Sequence, residues 1–302
     1  MAAVDDGAAF EDFDLFTSMR YDPMLLDCKE NSELYGEPNP YYMLSYHRDR
    51  MLAAAQHFGW EEAIATLNGQ GSLASLATAL SSKIDQHCGV ERTKTVLKLR
   101  ILLSREGHLT IEPTATSAVP LDALYPTELK LHDSFVPSSR TGGALQLGAD
   151  DKLLKSPNGD ESIKKPNSGT IPGPWHIFID SKPTSVSPLT KFKTTSRDMY
   201  DAARKRVGIQ SYQDPSEVIL VNPEGEVMEG SLTSVYFLRG GRWVTPPTGS
   251  GGQAGTTRRW LLRRNLCVEE TVNTDSIRDK EECYISNGVR GLVWGRVHLS
   301  EV

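Results

Sequence analysis

Two side chains in the sequence could carry acid–base or covalent chemistry. Lys193 stands in FKTTSR, between a strand-like stretch and a helix start, where an amine of lowered pKa could attack a carbonyl carbon. Glu229 stands in VMEGSLTSV, at the mouth of a predicted β-meander, where a carboxylate could pair with a buried cationic ring nitrogen. Each residue alone is also typical of a solvated surface charge, so both interpretations stay open.

Two further segments suit the binding of a phosphate group. Residues 249–258, GSGGQAGTTR, lead flexible glycines into a predicted helix, and the free N–H groups of a helix N-terminus bind anions. The segment is not a P-loop, because no Gly-Lys-Ser/Thr follows, and it lacks the βαβ setting of a dinucleotide site. Residues 47–51, HRDRM, offer arginines on a predicted amphipathic helix. A flexible loop and an exposed helix face are the alternative interpretations.

Composition limits the function classes for the 302-residue chain. Its 38% apolar residues exclude a largely disordered chain, and its net charge of −6 argues against nucleic-acid binding. The four cysteines lack CxxC or Cys/His spacing, so we expect neither a metal site nor a disulfide framework. Since we also find no apolar run of about 18 residues and no signal peptide, we expect a cytoplasmic protein without membrane contact.

The elements of the first half have an α+β character. Apolar residues at helical spacing predict one helix over residues 41–67, and a second helix is predicted over 71–86. The stretch 93–104, TKTVLKLRILLS, begins with alternating cationic and apolar side chains and predicts a strand. A hairpin turn at 105–108 then leads into a returning strand at 109–113.

The second half predicts a regular series of strands with two helices. The predicted helices cover 196–206, with Ser196 as a possible cap, and 256–265. The predicted strands cover residues 175–180, 218–221, 234–238, 243–245, 282–286 and 292–297.

A polar segment separates the two halves. Residues 137–174 are rich in Ser, Gly, Pro, Asn and charged side chains. A compact domain rarely holds so long a structureless loop, so we predict an interdomain linker with a surface insertion. The predicted organisation is therefore a small domain over 1–136, a polar linker over 137–174 and a larger domain over 175–302.

The order of the motifs resembles that of one enzyme family. His-x-x-Arg-Met, Phe-Lys-Thr, Met-Glu-Gly-Ser and Thr-Pro…Gly-Thr-Thr-Arg follow one another, and the match runs from about Arg20 to Val297 outside the linker. This combination resembles the fold-type IV pyridoxal-phosphate enzymes, the class IV aminotransferase family. The resemblance implies an α/β (α+β) fold, with a small N-terminal domain and a larger C-terminal domain built on a mixed sheet or barrel-like core. It also implies a homodimer.

The resemblance gives roles to the chemistry-bearing residues. With pyridoxal 5′-phosphate as the cofactor, Lys193 would bind it covalently and then serve as the acid–base group. Glu229 would face the pyridine nitrogen and keep it protonated. Arg50, with the backbone N–H groups of Thr256 and Thr257, would hold the cofactor phosphate.

The segments FKTTSRDMY, MEGSLTS and CYISNGVRG are most similar to the family's lyases, which convert 4-amino-4-deoxychorismate to 4-aminobenzoate and pyruvate, a step toward folate. Such a substrate is a small dicarboxylate, and Arg20, Arg290 and Asn287 are the candidates for binding it. Ser234 stands where family members usually carry Asn, which could change the support of Glu229.

Two alternatives to a lyase stay open. A D-amino-acid or branched-chain aminotransferase would use the same lysine and glutamate, so the catalytic pair does not separate the two reactions. A non-catalytic homologue that acts as a binding module would keep the fold without the reaction.

Overall fold

The computed structural model describes residues 12–132 and 174–299. The described residues 12–129 and 174–299 form one compact unit. The predicted linker, 137–174, lies outside the described residues except for Pro174, and the predicted domain boundaries stay predictions. Within the described ranges, no helix has the length and apolar character needed to cross a membrane, and no cluster of His, Cys, Asp and Glu suits a metal ion.

A three-stranded antiparallel sheet forms the core of the N-terminal half. Its strands, in the order β1-β2-β3, are β1 (Leu15–Tyr21), β2 (Leu97–Leu103) and β3 (Leu109–Ala115). Leu97, Leu99 and Ile101 are buried against the helices, while Lys98 and Arg100 face the opposite way. The predicted strand and hairpin are confirmed, whereas β1 has no counterpart among the predicted elements.

Five helices accompany this sheet in the described part of the N-terminal half. They are α1 (Lys29–Tyr35), α2 (Leu44–Phe58), α3 (Glu61–Leu67), α4 (Ser72–Cys88) and α5 (Leu121–Leu124). The prediction of one helix over 41–67 is wrong, because Gly59 adopts a left-handed conformation (φ 64°) that ends α2. The helix predicted at 71–86 is confirmed as α4.

The C-terminal half contains a mixed sheet of eight strands in the order β6-β5-β4-β11-β10-β7-β8-β9. The strands are β4 (Trp175–Ile179), β5 (Ser216–Val221), β6 (Val227–Gly230), β7 (Ser234–Arg239), β8 (Arg242–Thr245), β9 (Val268–Glu269), β10 (Glu282–Asn287) and β11 (Gly291–His298). Strand β4 is parallel to both β5 and β11, and β8 is parallel to β9, whereas the other neighbours are antiparallel.

Three helices pack with this half over residues 174–299: α6 (Pro188–Lys191), α7 (Asp198–Arg206) and α8 (Thr256–Arg263). The predicted strands and helices are confirmed with shifts of a few residues. Ser196 does not cap α7, since Arg197 occupies the N-cap position. The α/β fold class, with a small N-terminal sheet and a larger mixed C-terminal sheet, is also confirmed.

A short antiparallel pairing joins the two halves. The N–H of Phe16 donates to the carbonyl of Lys193 (3.0 Å), and the N–H of Thr195 donates to the carbonyl of Asp14 (2.9 Å). Between them, Leu15 lies opposite Thr194 in a β-bridge. The segment that carries Lys193 is therefore fixed by main-chain hydrogen bonds to the edge of the N-terminal sheet.

A buried carboxylate holds the turn between β6 and β7. Glu217 is 0% exposed. Its carboxylate accepts hydrogen bonds from the backbone N–H groups of Val218, Ser231 and Leu232 and from the hydroxyls of Ser231 and Thr233. Arg204 lies 3.7 Å from the same carboxylate and donates to the Ser231 hydroxyl (2.9 Å). Because a buried carboxylate with this many donors is fully solvated by the protein, the turn is rigidly placed.

We expect Glu217→Ala to destabilise the protein by about 3–5 kcal/mol, because it leaves Arg204 and several N–H groups buried without their acceptor. Urea unfolding followed by circular dichroism measures the change. Glu224→Ala is the matched control, since Glu224 is exposed in the preceding turn. Equal stability of the two variants would show that the carboxylate does not hold the turn.

Candidate active site

A cavity of about 400 Å³ lies between the two sheets. All but one of the residues that the sequence singles out for chemistry line it, namely Arg50, Lys193, Glu229, Thr256, Thr257, Asn287 and Arg290. The even-numbered face of β1 and β2 forms one wall, and the ends of β6 and β10 with the start of α8 form the other. Residues far apart in the sequence therefore meet at one site.

Lys193 is half-buried in this cavity, with its Nζ atom 4.7 Å from the centroid of the Phe16 ring. Burial, together with the positive charges of Arg197 and Arg50, places the pKa of Lys193 well below its ordinary value. A lowered pKa enlarges the fraction of the lysine that is neutral at a given pH. Its amine can act as a nucleophile or as a base.

Glu229 is 6% exposed and is oriented by two donors. The Tyr200 hydroxyl donates to Oε1 (2.6 Å), and the backbone N–H of Gln253 donates to Oε2 (3.2 Å). The Gln253 side-chain amide in turn donates to the Tyr200 oxygen (3.1 Å). Burial raises the pKa of Glu229 to about 7, although the Tyr200 hydrogen bond opposes that rise. Since no ion pair to Glu229 occurs among the described residues, the carboxylate can accept a cationic group.

Arg50 reaches the cavity from α2. Its Nη2 donates to the Thr17 hydroxyl (2.6 Å), which also lies 2.6 Å from Nδ1 of His47. Nε of Arg50 is buried and has no hydrogen-bond partner. Burial lowers the pKa of Arg50 to about 10, which still leaves it cationic at neutral pH. Arg50 is therefore a cationic group whose buried Nε–H donor is not used by any described residue.

The N-terminus of α8 lies in the same cavity. Gly255 is its N-cap and provides no side-chain cap, so the first-turn N–H groups of Thr256 and Thr257 are left for another acceptor. A Cβ atom at Gly255 would collide with the Ser234 hydroxyl. A glycine therefore allows the start of α8 to lie this close to β7. The Thr257 hydroxyl donates to the Asn287 carbonyl (3.1 Å) and fixes the helix start. These N–H groups, with Arg50, suit a dianionic phosphate.

The turn between β10 and β11 carries Asn287 and Arg290. The side-chain oxygen of Asn287 accepts from the N–H groups of Val289 (3.0 Å) and Arg290 (2.9 Å). It therefore shapes the turn. The guanidinium of Arg290 lies 5.0 Å from the Trp175 ring centroid and donates through Nη2 to the Tyr212 carbonyl (2.9 Å).

Arg20 is the predicted site residue that the structure does not bring into the cavity. Its side chain is buried and forms an ion pair with Asp22 (2.7 Å). It also donates to the carbonyls of Ser117 (3.1 Å) and Val289 (3.2 Å). The geometry does not support the predicted substrate contact, because the guanidinium is used to hold the β10–β11 turn.

Several residues that line the cavity are not among the site residues predicted from the sequence. Lys98 and Arg100 line the wall, and the alternation of cationic and apolar residues in TKTVLKLR was the signal that could have placed them on one face. Arg197 also lines the cavity and donates to the Ser231 carbonyl (2.8 Å). Nothing in the sequence indicates that Tyr200 lies against the carboxylate of Glu229, since that contact depends on tertiary packing.

Solved structures share this architecture. A structure from Mesorhizobium loti superposes with a TM-score of 0.61 at 20% identity, over 95% of this chain and 100% of that one. A fold IV-transaminase from Curtobacterium pusillum superposes with a TM-score of 0.55 at 16% identity, over 96% of this chain and 80% of that one. At these identities the likeness concerns the fold, which is fold-type IV.

Sequence comparison finds similarity to one enzyme family. The family described as amino-transferase class IV matches residues 152–296. Aminodeoxychorismate lyase of Saccharomyces cerevisiae is 28% identical over 215 residues, which are 66% of this chain and 51% of that protein. A Schizosaccharomyces pombe protein is 30% identical over 127 residues, 40% of this chain and 54% of that protein. The chain spans about half the length of these curated relatives. Its similarity to the class IV aminotransferase family over these residues agrees with the order of the motifs.

We expect Arg197→Met to raise the pKa of Lys193, because the substitution removes a neighbouring positive charge that disfavours the protonated amine. In the protein without cofactor, the pH at which Lys193 becomes reactive should rise by about one unit. Trace labelling with acetic anhydride, read out at Lys193 by peptide mass spectrometry, measures this. Lys205→Met, an exposed change on α7, the helix that Arg197 precedes, is the control. An unchanged labelling profile in Arg197→Met would contradict the electrostatic explanation.

Proposed function

We propose that the chain is a pyridoxal-phosphate-dependent lyase that converts 4-amino-4-deoxychorismate to 4-aminobenzoate and pyruvate. The observation that carries the proposal is the meeting of Lys193, Glu229 and an anion cradle in one cavity. The partial likeness to the yeast protein named aminodeoxychorismate lyase supports the choice of reaction.

The residues present fit the cofactor. Arg50, with its unpartnered buried Nε, and the α8 N-terminus at Thr256 and Thr257 would hold its phosphate. Glu229, a buried carboxylate without an ion-pair partner among the described residues, would face its ring nitrogen. Lys193 would supply the amine that binds its carbonyl carbon.

When bound, pyridoxal 5′-phosphate supplies an electron sink for the carbon that bears the substrate's amino group. The Lys193 amine would remove the proton from that carbon, and its lowered pKa enlarges the neutral fraction that can act as a base. Glu229, held by Tyr200 and Gln253, would face the ring nitrogen, and a cationic ring nitrogen would favour the charged form of this carboxylate. In this arrangement the base lies on the segment that pairs with β1, and the counter-charge lies in β6.

Loss of the proton leads to cleavage of the bond between the ring and the enolpyruvyl oxygen. The enolpyruvyl group takes up a proton and leaves as pyruvate, while the ring becomes aromatic as 4-aminobenzoate. Aromatisation drives the reaction forward, so a second amino acceptor is not needed. This distinguishes the lyase from an aminotransferase that uses the same lysine and glutamate.

Incubation of the purified, cofactor-loaded protein with 4-amino-4-deoxychorismate tests the proposal. We expect equal amounts of 4-aminobenzoate and pyruvate without any added keto acid, measured by fluorescence and by coupled reduction of pyruvate. Strict dependence on a keto acid would identify an aminotransferase. A protein that binds no pyridoxal 5′-phosphate would instead favour a non-catalytic binding module.

We expect Lys193→Ala to reduce kcat by at least about 10²–10⁴-fold and to abolish the visible absorbance of the bound cofactor, since one amine supplies both the base and the covalent attachment. Steady-state kinetics and absorption spectra measure the two effects. Lys191→Ala, an exposed lysine two positions earlier, is the matched control and should retain both properties. Wild-type turnover in Lys193→Ala would remove this residue from the mechanism.

A further inference from the structure

A hydrogen-bonded chain of buried side chains lies directly behind the wall of the cavity. It runs from Arg50 on α2 to the Thr17 hydroxyl on β1 and from there to the ring of His47, which also belongs to α2. Thr17 and His47 are each 1% exposed, and neither is among the residues that line the cavity. Because buried polar groups cost free energy unless they are hydrogen-bonded, their partners show what these two side chains do.

The donors and acceptors give this chain one direction. A guanidinium can only donate, so the Thr17 oxygen accepts from Nη2 of Arg50 (2.6 Å). The Thr17 hydroxyl has one proton of its own, and Nδ1 of His47 lies 2.6 Å away as its acceptor. If Nδ1 carried a proton instead, the Thr17 proton would be buried without this acceptor. The hydrogen bonds therefore select the tautomer of His47 that carries its proton on Nε2.

The surroundings of His47 also keep its ring neutral. Burial, together with the positive charges of Arg50 and Lys193, places the pKa of His47 well below its ordinary value. A neutral ring with an unprotonated Nδ1 is the form that the Thr17 hydrogen bond requires. Electrostatics and hydrogen bonding therefore favour the same form of this side chain.

The other ring nitrogen of His47 lies beside the N-terminus of α8. Nε2 is 3.5 Å from the Thr256 hydroxyl oxygen, which is a long contact. A proton on Nε2 makes the Thr256 oxygen an acceptor and leaves the Thr256 hydroxyl proton for an anion in the cavity. The ring packs on the backbone of Gly288, since a Cβ atom there would collide with Cε1 and Nε2 of His47. The ring is therefore held in one orientation between β1 and α8.

We propose that Thr17 and His47 are positioning residues for the cofactor phosphate, which orient Arg50 and Thr256 so that both donate to one anion. This inference rests on the part of the proposed function that assigns pyridoxal 5′-phosphate to the cavity, and it does not depend on the reaction. With Nη2 of Arg50 held by Thr17, the guanidinium keeps one orientation, and its unpartnered Nε–H is left for the phosphate. Neither positioning residue contacts the cofactor.

The affinities for pyridoxal 5′-phosphate and for pyridoxal test the proposal, because the two ligands differ only in the phosphate group. Equilibrium dialysis of the wild type and of Thr17→Val gives both Kd values. We expect Thr17→Val to raise the Kd for pyridoxal 5′-phosphate by about tenfold and to leave the Kd for pyridoxal unchanged. A general structural defect would weaken the binding of both ligands. Thr17→Ser restores the hydroxyl and should have both wild-type Kd values.

Thr78→Val is the matched control, since it makes the same change at an exposed position of α4, where the hydroxyl donates to the Ala74 carbonyl. Both of its Kd values should equal those of the wild type. His47→Leu should show the same selective loss as Thr17→Val, and the double variant should lose little more, because both changes interrupt one chain. An unchanged Kd for pyridoxal 5′-phosphate in Thr17→Val, or equal losses for the two ligands, would overturn the proposal.

The tautomer of His47 gives a second measurement that needs no cofactor. In protein with isotope-labelled histidine, the nitrogen NMR signals that His47→Leu lacks identify this ring, and their shifts show which nitrogen is protonated. We expect a proton on Nε2 and none on Nδ1. A proton on Nδ1 would overturn the proposal, because the Thr17 hydroxyl would then not be the donor.

The proposed function fails separately from these positioning residues. A selective loss of phosphate affinity in Thr17→Val, in a protein without lyase turnover, keeps the positioning residues and removes the lyase. Lyase turnover with equal Kd values in the wild type and Thr17→Val keeps the lyase and removes the positioning residues.

Discussion

The main-chain pairing between β1 and the segment that carries Lys193 is the interaction on which the site depends. The bonds from Phe16 to Lys193 and from Thr195 to Asp14 fix that segment to the N-terminal sheet. Backbone hydrogen bonds of this kind allow little freedom in direction or distance. Lys98 and Arg100 on β2 therefore have a set position relative to Lys193. Glu229 lines the same cavity from the C-terminal sheet. This short pairing, together with the hydrogen bonds from Arg20 to the β10–β11 turn, aligns groups from the two halves of the chain.

Much of the fold could be predicted from local patterns. The alternation in residues 97–103, the glycines before Thr256 and the hydrophobic runs of the second half each correspond to an element of the structure. The site could be predicted in outline because four short motifs keep their order along the chain. Those motifs are local, and each one identifies a residue without showing what lies across from it.

The rest depends on tertiary contacts that no local pattern records. Strand β1 is buried on both faces and so lacks the period-two alternation that identifies a half-buried strand. The family resemblance makes Arg20 a candidate for binding the substrate, and its observed partners, Asp22 and two distant carbonyls, are revealed only by the fold. Glu217 precedes a hydrophobic run, and its position in the sequence is typical of a surface charge. In the structure it is among the most buried side chains.

The position of β4 has a consequence for how the chain folds. This strand pairs in parallel with β5 on one side and with β11 on the other, and Trp175 lies opposite Gly295, 120 positions later (295 − 175). Parallel pairing over such a separation requires a large loss of chain entropy before contacts form, so it is slow. On a ribosome, β4 would emerge long before β11, leaving one of its edges unpaired in the meantime. Nascent chains at this stage therefore expose an unpaired strand edge, which favours aggregation and chaperone binding.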